Sequence, residues 1–480
     1  MERLIRLLPL FCLAFAIQNG LAQNCCAQSK SAPQAKDLNT QAEQAYARGK
    51  YAETLRLAEE RLKEEAEDAQ ALYLKASALI EIGRRTARAS TIRQGVEDAR
   101  KAIELSKASD PKYYLPYLYG MTSLTELEKN NQHAETALEI ANKLVGATQD
   151  APTKANVHYQ RARIHSLLGD HKKAQSDYRD SIRLNDKFLA SYMGLTDSFM
   201  RTKELDRARE AFDDATRKFP KNPVVFNNRG LFLQQRKEYE LAIVDFTKAL
   251  QINKQFVAAY TNRGYTLLQM DDPEAAELDF GASLGLAPQQ PLVHRLRAGC
   301  RLLQKQPALA IEDLTAAVRL RADAVTFVDL GFAQLINRNY DAAAKSLEEA
   351  EKLDPAMQHV HPWRFAAMTG LKQKAEAIEQ YAAPIARVKT EKDAKWSDQL
   401  VGYLSDTIST DALMKVAGAI PDKKVGRMTE ANFFLGVRSE MRGDLIAAAK
   451  YYKQSLLSKR KDLAAYRGAL VGLERTTKKK

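Results

Sequence analysis

Small and large apolar positions recur along residues 155–357 with a period far longer than one helical turn. Ala174, Ala208, Ala242, Ala276 and Ala310 are spaced by 34, and Ala343 follows after 33. Four residues past each alanine comes a large apolar side chain: Tyr178, Phe212, Phe246, Phe280, Leu314 and Leu347. Three further on comes a small one: Ser181, Ala215, Ala249, Ser283, Ala317 and Ala350. Twelve before each alanine is another small residue (Ala162, Thr196, Gly230, Gly264, Ala298, Gly331), and four before that a ring (His158, Tyr192, Phe226, Tyr260, His294, Phe327). Pro220, Pro288 and Pro355 close three of the units. The spacing predicts two amphipathic helices per unit: small residues let two backbones approach, rings fill the space between helices, and proline ends a helix because it cannot continue one.

Six such units start near 155, 189, 223, 257, 291 and 324, and with these residues in register the chain resembles the tetratricopeptide repeat family. That resemblance implies an all-α fold, a right-handed superhelical solenoid of helix-turn-helix repeats. The pattern loosens outside the block. Residues 37–154 read as degenerate repeats: Leu38 to Gln70 with a Gly49-Lys50-Tyr51 turn, then 71–110, then 113–150 with Gly120 at the close-packing position. The second of these carries about eleven extra residues around Gly83–Gly95, whose Arg84, Arg85, Arg88 and Arg93 suggest a projecting basic loop. Residues 358–427 hold helical pieces in poor register. Residues 428–480 return to the pattern through Phe434, Gly436, Gly443, Ala448 and Tyr452, and Asp462 to Arg475 reads as the capping helix a solenoid's last unit needs.

The C-terminal part, through Trp396, Val401 to Leu404, Asn432 to Gly436 and Gly443-Asp444, also resembles the bacterial new-lipoprotein-I type. That resemblance implies an outer-membrane repeat lipoprotein acting as an adaptor between a periplasmic protease and cell-wall endopeptidases. This chain departs from it in length and in its lipobox, since Gln23 and Asn24 precede Cys25 where small residues are wanted.

Composition narrows the class. The 480 residues are 45% hydrophobic and 28% charged, with 22 Gly and 15 Pro, too few of either for a disordered chain. The formal net charge of +13 comes from 73 basic and 60 acidic residues interspersed along the chain, so it reads as solvated helix faces with a bias toward acidic partners. Residues 1–22 read as a signal peptide: Arg3 and Arg6, an apolar Leu7 to Ile17, then Gly20 and Ala22 before a cleavage site. Residues 23–36 read as a flexible linker holding Cys25 and Cys26, at which lipid tethering or intermolecular pairing is open. The mature chain is therefore expected in the periplasm or secreted, with no transmembrane segment.

Candidate chemistry is sparse. The sequence has no Gly-rich phosphate loop, His-Glu-x-x-His, Cys-x-x-Cys or Gly-x-Ser-x-Gly, so it reads as a non-enzyme without cofactor or metal. His158 and His294 fall at core ring positions. His359 and His361 have a spacing that could suit a metal but lack a third ligand. Rings at repeat positions read as core, which argues against nucleic acid. The remaining candidate is the inner face of the first helices, where positions 2, 5, 6, 9, 12 and 13 of each unit should point. These give a polar stretch including Asn227, Asn228, Gln234, Asn262, Tyr265 and Gln269, and an apolar one including Leu296, Leu302, Leu303, Phe332, Leu335 and Ile336. The repeat family implies that an Asn at position 6, here Asn228 and Asn262, bonds the backbone of an extended peptide. A carboxylate clamp would want paired basic residues, and only Arg295 fits. The candidate peptide- or protein-binding residues are thus Asn228, Asn262, Tyr265, Arg295, Leu302 and Phe332. For both stretches an outside partner and another part of the same chain, such as the C-terminal helices or 358–427, are open occupants, and the apolar one could receive a hydrophobic peptide or an amphipathic helix. Three functions compete: an exported scaffold or adaptor, a self-associating envelope protein, and a cell-wall-polymer binder or enzyme with its site in 358–427.

Overall fold

A computed structural model describes residues 37–106, 110–390 and 394–477. The expected signal peptide, the linker with Cys25 and Cys26, and the terminal lysines lie outside the described residues. Helices succeed one another with no strand among the described residues. They begin with α1 (Leu38–Ala47), α2 (Tyr51–Glu64), α3 (Ala69–Arg85), α4 (Ala89–Leu105), α5 (Tyr114–Glu128) and α6 (Asn131–Ala147). The regular block is α7 (Ala151–Leu167), α8 (His171–Leu184), α9 (Leu189–Arg201), α10 (Leu205–Lys218), α11 (Pro223–Gln235), α12 (Tyr239–Ile252), α13 (Val257–Gln269), α14 (Pro273–Leu286), α15 (Pro291–Leu303), α16 (Pro307–Leu320), α17 (Ala324–Ile336) and α18 (Tyr340–Leu353). There follow α19 (His361–Gly370), α20 (Lys374–Gln380), α21 (Ala382–Thr390), α22 (Trp396–Leu404), α23 (Thr410–Gly418), α24 (Pro421–Met441), α25 (Leu445–Leu456) and α26 (Ala464–Thr477). The described residues form two compact units, 37–229 and 230–477.

Within a pair, the sequence pattern translates directly into packing. All six periodic alanines are fully buried, and so are Phe246, Phe280 and Leu347. A Cβ added at Gly230 would lie 2.7 Å from the Phe246 ring, and one at Gly331 would lie 2.6 Å from Leu347 Cγ. The small position is small because the large residue of the partner helix occupies its space.

The turn inside each pair is tight and repeats more faithfully than the side chains do. One residue there takes a left-handed backbone: Gly169, Lys203, Lys237, Asp271, Lys305, Arg338, Lys372 and Asp406. Their spacing is 34 residues throughout apart from one step of 33. Residues 358–427, expected in poor register, therefore keep the period: α19 packs on α20, and α22 packs on α21 and α23. The sequence signal fades there because the second helix is broken at Tyr381 and rings move to new positions, while the turn geometry persists.

The basic insert differs from expectation too. It does not project as a loop. The extra residues lengthen α3 and α4 to 17 each, joined by a short turn at Ala87. Gly83 and Gly95 are the reason: an added Cβ would lie 2.6 Å from Ile92 at the first and 2.8 Å from Ile80 at the second, so the helices cross closely. The arginines lie along the helices, Arg84 against the Tyr119 ring at 4.8 Å and Arg85 over Tyr51 at 4.5 Å, while Arg93 pairs with Glu128 at 2.5 Å.

Candidate peptide-binding face

In the C-terminal unit, α13, α15 and α17 are the first helices of successive pairs and present the residues singled out from the sequence. On α13, Asn262 is 4% exposed, and its carbonyl accepts from Thr266 Oγ1 at 2.8 Å. Gln234 donates to the same threonine hydroxyl at 2.6 Å. Tyr265 is half-buried, and burial, followed by the charge of Tyr239, pushes its hydroxyl up. Gln269 is exposed. In the N-terminal unit, Asn228 is 6% exposed and donates toward Met193 Sδ at 3.4 Å.

Arg295 on α15 is committed to Asp329, with Nη2 at 2.7 Å and Nε at 3.1 Å from one carboxylate oxygen. A guanidinium held in this way has less to offer a ligand carboxylate.

Of the two occupants open for the apolar stretch, the structure has the chain's own C-terminal helix. Leu302 and Phe332, each 3% exposed, share one hydrophobic cluster with Leu335, Ile336, Ala465 and Ala469. Phe332 meets Trp363 edge-on at 5.2 Å, and Trp363 in turn packs on Phe434 at 4.6 Å. Glycines let α26 come close: a Cβ at Gly468 would lie 3.2 Å from Ile336, and one at Gly299 would lie 3.5 Å from Arg467 Nη1.

A polar hub fastens the end of α26. Arg475 donates to the Ile336 carbonyl at 2.5 Å and forks onto both oxygens of Glu440 at 2.6 Å. Tyr452 donates to Glu440 at 2.9 Å, and Arg338 pairs with it as well. Burial pushes the Glu440 carboxyl up, but the Arg475 bond and charge outweigh it and hold the group below its ordinary range. The capping helix read from the sequence is thus present, and it covers the inner face of α15 and α17 in addition to the last pair.

The histidines take structural positions. His158 Nδ1 lies 2.9 Å from Asp177, and His294 Nδ1 lies 3.1 Å from Asp313. His158, Asp177 and Asp180 could together approach a cation, but Arg161 already takes both oxygens of Asp177, at 2.8 and 2.6 Å. Burial pushes His359 and His361 down. Cys300 is buried, and burial pushes its thiol up to about 12. A cavity of about 340 Å³ at 356–430 is lined by His359, Trp363, Trp396 and Glu430, with Trp396 Nε1 donating to Glu430 at 2.5 Å. No hydrogen bond joins His359 to Glu430 among the described residues.

Sequence reading missed one recurring device. Arg161, Arg263 and Arg297 each fork onto an aspartate sixteen residues on: Asp177, Asp279 and Asp313. Both oxygens of each carboxylate are used, at 2.6 to 2.9 Å. The pair ties the two helices of a unit together. The 34-residue recurrence of Arg and Asp was the available signal, obscured because charged residues on a helix face usually mean solvent.

Comparison with known proteins places these pairs. Profiles of the tetratricopeptide repeat family match residues 159–223, 223–256 and 261–325. Tetratricopeptide repeat protein 6 of Homo sapiens is 29% identical over 123 residues, 26% of this chain and 22% of that protein. Anaphase-promoting complex subunit 3 of Schizosaccharomyces pombe is 23% identical over 197 residues, 41% of this chain and 29% of that protein. The chain thus spans under a third of either relative. Among solved structures, the C-terminal part of a TPR repeat-containing protein from Cytophaga hutchinsonii is similar at 18% identity with a TM-score of 0.42, covering 52% of this chain and 99% of that one. This chain therefore carries tetratricopeptide repeats, matched at 159–256 and 261–325 and continued on both sides by further pairs of the same helix-turn-helix form.

Proposed function

We propose that this chain is an exported scaffold or adaptor that holds a protein or peptide partner against the inner face of its repeats, in the assembly or turnover of the cell envelope. The observation that carries the reading is the contrast between neighbouring first helices of the C-terminal unit. On α15 and α17 the apolar face is taken by α26, whereas on α13 Tyr265 and Gln269 keep access to solvent beside Asn262. That leaves a polar strip with donors and acceptors and one amphipathic ring, the composition that suits an extended peptide backbone. The apolar N-terminal stretch with its small residues before Gln23 supports export. No helix among the described residues is long and apolar enough to cross a membrane.

The test is Asn262→Ala with Tyr265→Ala, used as bait against the native envelope fraction. Partner recovery should fall while circular dichroism stays as in the unaltered chain; equal recovery removes these residues from the site. Separately, recovery of the uncleaved chain from the cytoplasm would end the export reading.

A second reading, self-association, is favoured by apolar side chains on second helices of the C-terminal unit: Leu241 is 50% exposed, Val244 64% and Leu278 76%. Sedimentation equilibrium decides it, since a monomer at all concentrations removes it.

A further inference from the structure

The residues of the Arg–Asp fork described above are replaced in two regular units, and at one of them a groove opens. In the unit formed by α9 and α10, the positions equivalent to Arg161 and Asp177 hold Leu195 and Ala211. A cavity of about 780 Å³ lies there, between α8 and α10 and across α9. Leu195, Ala211, Phe199 and Ile182 contribute its apolar floor. In the sixth unit the fork is also absent, with Leu330 and Ser346 in its place, but there the Ser346 hydroxyl donates across the pair to Gln334 Oε1 at 2.8 Å.

The rim is basic. Arg179, Arg183, Arg207, Arg217 and Lys218 line the groove against two carboxylates, Glu210 and Asp214. Four of the cations have neighbouring acidic partners: Arg183 with Asp180, Arg207 with Glu204, Arg217 with Asp214 and Lys218 with Asp186. The basic side chains of these pairs are largely exposed, so each pair contributes little. Arg179 has no ion pair among the described residues and lies over the Phe199 ring at 5.4 Å.

We propose that this groove is a docking site for an acidic peptide segment of a partner protein, anchored by one apolar side chain in the slot that the absent fork vacates. Charge selects the flanks and the floor selects the anchor. A peptide offers both features in one ligand. A bare polyanion would satisfy the rim and leave the apolar floor wet. The site lies wholly in the N-terminal unit and is independent of the inner-face reading.

The test is fluorescence anisotropy with a labelled short peptide of Asp and Glu around a Leu-Phe pair. Replacing Leu-Phe by Ser-Ser, or the acidic residues by Lys, should each weaken binding about tenfold or more. The decisive variant is Leu195→Arg with Ala211→Asp, which rebuilds the fork found at Arg161, Arg263 and Arg297 and fills the slot. It should lose the peptide by about tenfold or more while melting no lower than the unaltered chain. If it misfolds, Arg183→Glu with Arg217→Glu serves instead, and should weaken the acidic peptide and improve the Lys one. Equal binding of the acidic peptide by the rebuilt, folded variant overturns the proposal. So does equal affinity for the Ser-Ser peptide, for single-stranded RNA or for anionic vesicles, because each shows charge without the anchor.

Discussion

A residue with a side chain stands in a left-handed backbone at most of the turns inside the helix pairs. Lys203, Lys237, Lys305 and Lys372 have φ of 60°, 62°, 61° and 65°, where Gly169 and Gly443 do the same task without a Cβ. A side chain there costs about 1–2 kcal/mol, offset in part by the greater chain entropy a glycine loses on folding. Lys237→Gly is therefore expected to raise stability by about 0.5 kcal/mol or more; a lower urea midpoint would show that this turn is not strained. The periodic alanines make the opposite case. Ala242 is fully buried against its partner helix, so Ala242→Leu should overpack the crossing and cost about 1–3 kcal/mol. An unchanged melting temperature would remove Ala242 from the crossing. Both sites were readable in outline: the alanine through its period, the turn only as a position between two helices.

Among the elements, α26 depends most on one contact. Glu440 has a side chain only 6% exposed and binds Arg475, Arg338 and Tyr452 together. Glu440→Gln leaves two guanidinium groups without their charge partner and should destabilise the C-terminal unit by about 3 kcal/mol or more. The pH dependence has a definite sign. Because the folded carboxyl is held below its ordinary range, its contribution is complete above the unfolded value of about 4.3 and is lost as pH falls through the folded value. Chemical denaturation across that acid range should show the unaltered chain losing more stability than Glu440→Gln. Parallel curves would mean that Glu440 carries no net stabilisation. Nothing in the sequence singled out Glu440, because its partners come from α17's end, α25 and α26 and follow no repeat spacing.

Across the whole molecule, stability should be graded. In a repeat array each pair leans on its neighbours, so a terminal pair has fewer supports than one inside. The first helix, α1, contributes Ala42 and Ala45, with Leu38 partly buried against them, to a small cluster with Leu57, Ala58 and Leu74. The C-terminal unit instead gathers α15 to α26 around a single large one. Hydrogen exchange should therefore be fastest in α1 and slowest around Phe332, Trp363 and Phe433. Uniform protection from end to end would contradict this ordering.

The sequence by itself determined the repeat. The period, the small and large positions, the buried alanines and the helix-turn-helix form all follow from contacts at fixed offsets within a pair, and a fixed offset leaves a trace in every unit. It also marked the existence of a last capping helix. Tertiary structure alone decided what that helix covers, since Arg475 reaches the Ile336 carbonyl across 139 residues and no period records such a contact. It decided that the basic insert lengthens two helices, because close packing at Gly83 and Gly95 is a property of the crossing and not of either segment. It showed that 358–427 keeps step, because register resides in the backbone turn when side chains no longer announce it. Leu195 and Ala211 look like ordinary apolar residues in the sequence; only the forks around them show that something is missing there.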